Sequence, residues 1–179
     1  DFAPHLVDQA LDLMGPVVSV NAHARTLREI PVSDDDLLIM LQHESGGISY
    51  LVGSLATALP GPRFTLAGTT GALRINDVDT QEKHLKLGVI PGDGWGVESD
   101  ESIIEIWSSD AAGELTHSTL PSEIGNWPEY YREVLAFLTE SVLPTVTLDQ
   151  AVATTRVIDA ARISVANGEV VRLEPPASH

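Results

Sequence analysis

The chain has 179 residues, 43% of them apolar and 20% charged, with 26 acidic against 10 basic side chains and a net charge of −16. That balance excludes the basic footprint needed for nucleic acid or an anionic membrane surface, and no run approaches the roughly 18 apolar residues of a membrane helix. The absence of cysteine rules out a disulfide, a thiolate nucleophile and a zinc–thiolate centre.

The length suits one domain over residues 1–179, large enough to bury a real core. The chain opens on DFAPHLVD with no initiator Met and no lead-in, so it is expected to be a piece of something longer. Residues 4–14 read as a helix, because Leu6, Ala10 and Leu13 recur on one stripe with Val7, Leu11 and Met14 beside it. Pro4 suits the first turn, and Gly15-Pro16 stops the helix.

The period then changes to two. Val18, Val20, Ala22 and Ala24 alternate with Ser19, Asn21, His23 and Arg25, which predicts a strand with one buried face. Leu37 to Leu41 is a continuous apolar run, predicting a strand covered on both faces. Gly46-Gly47 turns the chain into a strand over residues 48–59, giving an antiparallel hairpin. Residues 63–68 and 72–75 predict a second hairpin around a Thr-Thr-Gly turn.

Residues 77–101, with PGDGWGVESDES at their end, read as an irregular surface loop. Strands are predicted from Ile103 to Trp107 and from Leu115 to Leu120, around a turn at residues 110–113. Two helices follow. The first spans about residues 128–142, with Asn126 or Trp127 as its cap. The second spans about residues 148–167, with Thr147 and Gln150 forming a capping box and Gly168 as the stop. Residues 169–173 predict a last short strand.

Strands that cluster instead of alternating with helices predict an α+β fold: an open-faced, mostly antiparallel β-sheet with helices packed on one face, a two-layer sandwich. Such a layout leaves one sheet face uncovered. In residues 48–58 both alternating sets are fairly apolar, which predicts a homo-oligomer built through that face.

Asp1 and His5 are the leading candidates for chemistry. Four residues apart on a helix, they share one face. An imidazole that titrates near neutral pH beside an orienting carboxylate is a proton-handling pair. The plain alternative is a helix-start acid and a surface histidine. Asp8 and Asp12 continue that flank, but no metal site is predicted, because such sites need three or four convergent ligands. His23, His43, His84 and His117 stand singly, without metal-ligand spacing. Gly92-x-Gly94-x-Gly96 neither follows a clear strand nor opens a helix, so it is no phosphate loop. Asn126, Tyr130 and Tyr131, at the head of the penultimate helix, are either a cap with core aromatics or groups whose polar tips reach a polyol.

Several stretches, taken in order, resemble the C-terminal domain of the Gfo/Idh/MocA oxidoreductases, the glucose–fructose oxidoreductase and inositol dehydrogenase relatives. DFAPHLVDQALDLMGPVVSVNA is similar to the family's D-x-G-x-H-x-x-D helix and following strand, with Ala3 where the family usually has Gly. PGPRFTLAGTTGALRI resembles its R-F-x-x-x-G-T-x-G hairpin, and VDTQEKHLKLG a D-x-Q-E-x-x-L-x-x-G segment of one bacterial branch. GNWPEYYREVLAFLTE and VTLDQAVATTRVIDAARISVANGEVVRL resemble the closing helices. The likeness covers residues 1–173.

The resemblance implies a sheet domain like the C-terminal domain of glyceraldehyde-3-phosphate dehydrogenase. It implies the substrate-side and dimerisation domain of an NAD(P)-dependent dehydrogenase acting on a CH–OH group of a sugar or polyol, in the cytoplasm. NAD or NADP would be bound by an N-terminal Rossmann domain, with no cofactor held by this chain. Asp1 and His5 match the family's D-x-x-x-H pair, and Asn126 and Tyr131 become substrate-binding candidates. The family's third catalytic group, the lysine of an E-K-P motif, has no counterpart here, since Lys83 in QEKH is not that lysine. The chain alone is therefore expected to be inactive. The alternative implied by the same resemblance is a non-catalytic sugar-sensing or assembly module.

Overall fold

The structure is a computed structural model that describes residues 2–29, 33–59, 61–76, 80–92, 94–97 and 103–174. In chain order its elements are α1 (Phe2–Met14), β1 (Val17–Arg25), β2 (Asp36–His43), β3 (Ile48–Ser54), β4 (Phe64–Ala67), β5 (Gly71–Ile75), α2 (Thr80–Lys86), β6 (Ile103–Ser109), β7 (Leu115–Pro121), α3 (Pro128–Glu140), α4 (Leu148–Asn167) and β8 (Val171–Arg172). They group into two compact units, Asp1–Ala58 with Thr145–His179, and Leu59–Pro144. The strands fall into two four-stranded sheets, β3-β2-β1-β8 and β4-β5-β6-β7, antiparallel throughout. The fold is α+β, as the clustering of strands predicts.

In the first unit α1 and α4 pack on each other and on one face of the sheet. The core between them is Val7 and Ala10 of α1, Val20 and Ala22 of β1, Ile39 and Leu41 of β2, Leu51 of β3, and Val157, Ala160 and Ala161 of α4. The period-two reading of β1 holds from Val20 onward. At its start a register irregularity between Val17 and Ser19 shifts the parity, so Val17, Ser19 and Val20 are all buried.

The opposite sheet face stands open. The register aligns Met40 with Tyr50 and Leu38 with Val52, and Ile48 follows Tyr50 on the same side. These five side chains are 36–69% exposed. The apolar run Leu37–Leu41 is thus covered on only one face within the chain. Leu37, Ile39 and Leu41 turn inward, while Leu38 and Met40 turn out.

Local chemistry sets most boundaries. Gly15, at φ +79°, donates its N–H to Leu11 O and ends α1. Strand β3 stops at Ser54, short of residue 59, because the Ser54 hydroxyl accepts the N–H of Ala56 and turns the chain out of the ladder. Thr147 and Gln150 form the complete capping box of α4, and Gly168, at φ +70°, closes its far end on Ser164 O.

Ser164 joins α4 to the sheet. It is buried, accepts the N–H of Ala22 at 2.9 Å and donates to Glu169 O at 2.6 Å. Strand β8 pairs with β1 only at Ser19 and Val20, so Ala22 N–H lies beyond its reach. Ser164→Ala leaves that buried donor unpaired, and a loss of about 1–3 kcal/mol is expected. Urea denaturation measures it. A midpoint shift equivalent to under about 0.5 kcal/mol would mean that water replaces the hydroxyl.

In the second unit, α2 (Thr80–Lys86) occupies a stretch that the sequence reads as loop. Its charges are arranged for a helix, with Glu82 and Lys86 paired at 2.6 Å one turn apart. Among the described residues no helix is long and apolar enough to cross a membrane.

Candidate functional site

His5 lies in the second turn of α1 with its side chain exposed. The helix under it is fixed on three sides. Val7 and Ala10 enter the core. Thr154 of α4 donates its hydroxyl to Asp8 Oδ1 at 3.2 Å. The third hold is at the helix start, where Phe2 seats against Gly53 of β3. A Cβ on Gly53 would come within 3.3 Å of Phe2 Cβ and 3.5 Å of Leu37 Cγ, so glycine is what lets the helix approach the sheet. A rigid helix therefore presents an accessible imidazole, which suits proton exchange with a ligand. Asp1 lies outside the described residues. Asp8 is engaged with Thr154, and among the described residues no three His, Asp or Glu side chains converge as metal ligands.

Asn126 and Tyr131 belong to the second unit. Asn126 does not cap α3 with its side chain. Its amide donates to Glu129 Oε2 at 3.1 Å, while the N-cap position is Trp127. Tyr131 is 74% exposed and stands edge-on to Tyr130 with ring centroids 5.2 Å apart. Both aromatics are therefore surface groups, not core.

The head of α3 is held by Gln81, a residue the sequence did not single out. Gln81 is fully buried, and its side-chain oxygen accepts Trp127 N–H at 2.8 Å and Trp95 Nε1–H at 2.9 Å. Beside it Gly96 donates space: a Cβ there would fall 1.9 Å from Gly125 O, and Gly125 N–H bonds Gly96 O at 3.1 Å. Gly96 of the 92–96 segment thus serves close backbone packing, while Gly94, at φ +78°, serves the turn. Gln-Glu at the start of a lysine-rich turn was the available signal, but burial of an amide is a tertiary property.

The isolated histidines resolve individually. His43 is buried between Gly15 O, 2.7 Å from Nδ1, and Ser49 Oγ, 2.8 Å from Nε2. A carbonyl only accepts, so Nδ1 carries a proton and donates it to Gly15 O, while Nε2 bonds the Ser49 hydroxyl. His43 thus ties the α1–β1 junction to the β2–β3 hairpin. His84 leans on Trp95 at 5.5 Å, with its buried Nδ1 unpaired among the described residues. His117 stacks on Trp107.

The displaced carboxylate pKa values are structural. Asp35, buried at the head of β2, is held below the ordinary value of 3.8 chiefly by the N–H of Leu27 and then by the Arg28 guanidinium. Asp36 is lowered first by Arg25, at 2.6 Å, and then by Ser54. A carboxylate whose folded pKa is depressed stabilises the fold fully above its unfolded value, and that stability is lost as pH falls through the folded pKa. Stability is therefore expected to hold down to about pH 4 and to fall below it. In Asp35→Asn the urea midpoint should drop at pH 7, and the pH 7-to-3 difference should shrink. An unchanged difference would remove Asp35 from the acid transition.

Comparison with known proteins places the geometry in a wider group. Residues 1–173 match the Gfo/Idh/MocA model described as "Oxidoreductase family, C-terminal alpha/beta domain". The scyllo-inositol 2-dehydrogenase (NADP(+)) IolW of Bacillus subtilis is 27% identical over 97% of this chain and 48% of its own length. The uncharacterized oxidoreductase YdgJ of Escherichia coli is 30% identical over 75% of this chain and 38% of its own. Among solved structures, the yvaA oxidoreductase of Bacillus subtilis superposes with a TM-score of 0.89 at 26% identity, over 97% of this chain and 51% of that one. The chain spans about half the length of such relatives.

Proposed function

The chain belongs to the Gfo/Idh/MocA oxidoreductase family as its C-terminal alpha/beta domain, and from that membership we propose that it is the substrate-side and dimerisation domain of an NAD(P)-dependent dehydrogenase acting on a CH–OH group of a sugar, polyol or related compound. The observation that carries this reading is the match over residues 1–173, with an inositol dehydrogenase among the relatives aligned over 97% of the chain. The exposed His5 on a fixed helix supports it.

In this reading His5 exchanges a proton with the reacting hydroxyl. Asp1 orients His5 or binds a neighbouring hydroxyl. Asn126 and Tyr131, which belong to the second unit, stand as candidate polyol-binding groups. Among the described residues Gly96 packs against Gly125 and the glycine-rich segment opens no helix, which supports assigning no dinucleotide to this chain. The nicotinamide, which supplies the hydride acceptor, is assigned to the half of the relatives that this chain does not span. The open face of Leu38, Met40, Ile48, Tyr50 and Val52 is the dimer surface.

The test compares the chain alone with the complete protein in cofactor-reduction assays over a panel of inositols, sugars and polyols with NAD and NADP. Turnover by the complete protein and none by the chain is expected. Turnover by the chain alone, or none by the complete protein across the panel, overturns the reading.

A further inference from the structure

We propose that the corner of the second sheet built by Arg74 and Trp107 is a binding site for a small carboxylic acid with an apolar body. The register places Thr65, Arg74 and Glu105 side by side across β4, β5 and β6, with Trp107 two residues beyond Glu105 on the same face and His117 opposite it on β7. A hollow of about 380 Å³ opens here, within the usual size of a small-ligand pocket. Its walls include Thr65, Thr69, Thr70, Arg74, Trp107 and Leu115.

Three features make this a built site. The Arg74 guanidinium stands over the Trp107 indole at 5.4 Å, and Trp107 in turn stacks on His117 at 4.9 Å with the rings 24° apart. Stacking holds the guanidinium in place through its face and leaves edge N–H donors for a ligand. The acid that would neutralise it is turned elsewhere. Glu105 is its cross-strand neighbour, yet the Glu105 carboxylate accepts from Asn76 at 3.5 Å and faces His117 Nε2 at 3.7 Å. Among the described residues Arg74 has no carboxylate partner, in a chain of net charge −16. Finally, the backbone is shaped to keep the corner open and close-set: a Cβ on Gly71 would lie 2.8 Å from Trp107 O, so only glycine lets β5 meet β6 at this point.

The chemistry of the walls selects the ligand. A planar fork of N–H donors matches a carboxylate, and threonine hydroxyls add donors at the turn. One cation inside a strongly acidic chain favours a monoanion over a dianion. Trp107, Leu115 and Ala72 supply an apolar wall for the body of the acid.

The experiment titrates the isotopically labelled chain with benzoate, acetate and inorganic phosphate at fixed ionic strength, following amide and indole resonances by NMR. Benzoate is expected to saturate, with shifts concentrated at residues 69–74 and at the Trp107 indole. Arg74→Gln should weaken it at least about tenfold, Arg74→Lys less, and Thr65→Val about threefold, steps of the size a lost charge-assisted or neutral hydrogen bond gives. Both positions are exposed, so the folded spectrum should persist, and either variant alone decides the matter. Non-saturating shifts, binding unchanged in Arg74→Gln or in Thr65→Val, or phosphate binding more tightly than benzoate would each overturn the proposal.

Discussion

In the complete protein, His5→Ala is expected to lower kcat/KM by about 10²–10⁴-fold, the range for removing a positioned general acid–base group. Most of the loss should fall on kcat, because an exposed imidazole that shares a proton mainly in the transition state adds little ground-state binding. Folding should be unaffected, since His5 sits on the outward side of α1, opposite the buried Val7 and Ala10. His5→Gln, which keeps a hydrogen-bonding group but cannot exchange a proton, separates the two roles. It should retain near-normal KM and lose kcat like the alanine variant. The pH profile of kcat/KM should also lose the limb that reports the imidazole. A variant with activity within about threefold of the parent and an unchanged pH profile would leave His5 a surface residue. The alternative, a module that senses sugars without turnover, would then gain weight.

The parts of the fold that were legible from sequence are those fixed by local chemistry. Gly15-Pro16 stops α1, the Thr147–Gln150 box starts α4 and Gly168 ends it, each where the residue types demand. The β4–β5 hairpin forms around the predicted Thr-Thr-Gly turn, and its observed register sets Phe64 opposite Ile75 and Ala67 opposite Ala72. What was hidden depends on contacts remote in sequence. Helix α2 is seven residues long, too short for an apolar period to appear, and its buried member is a glutamine whose partners lie 14 and 46 residues away. Strand β3 ends short of its apolar pattern because the Ser54 hydroxyl decides the stop. The division of strands between two sheets is likewise a matter of pairing partners, which alternation does not encode. For the site, spacing put Asp1 and His5 on one helical face. The resemblance gave them roles, and the structure adds the anchoring of α1 that makes His5 a fixed group.

The apolar run that the sequence reads as doubly covered bears on how the complete protein assembles. Leu38 and Met40 are exposed in the single chain, yet their residue types are those of a buried strand face. With Ile48, Tyr50 and Val52 they form an apolar strip two strands wide. Beside it Gln42, Asn21 and His23 supply polar neighbours, and the Arg25–Asp36 pair closes one end. An apolar centre with a polar margin is the anatomy of an interface, and a second copy satisfies it with one surface. The wild-type protein is accordingly expected to be at least a dimer, and Val52→Asp to dissociate it. In a two-fold interface each substitution acts twice, and each buries an unpaired carboxylate at a cost of several kcal/mol. At 1.4 kcal/mol per tenfold, the dimer dissociation constant should rise by at least about 10³. Val52 is 69% exposed in the single chain, so the fold of the variant should survive. Sedimentation velocity over a concentration series reads the result. A wild-type protein that stays monomeric, or a Val52→Asp variant that stays dimeric, would assign this face to something other than a second copy.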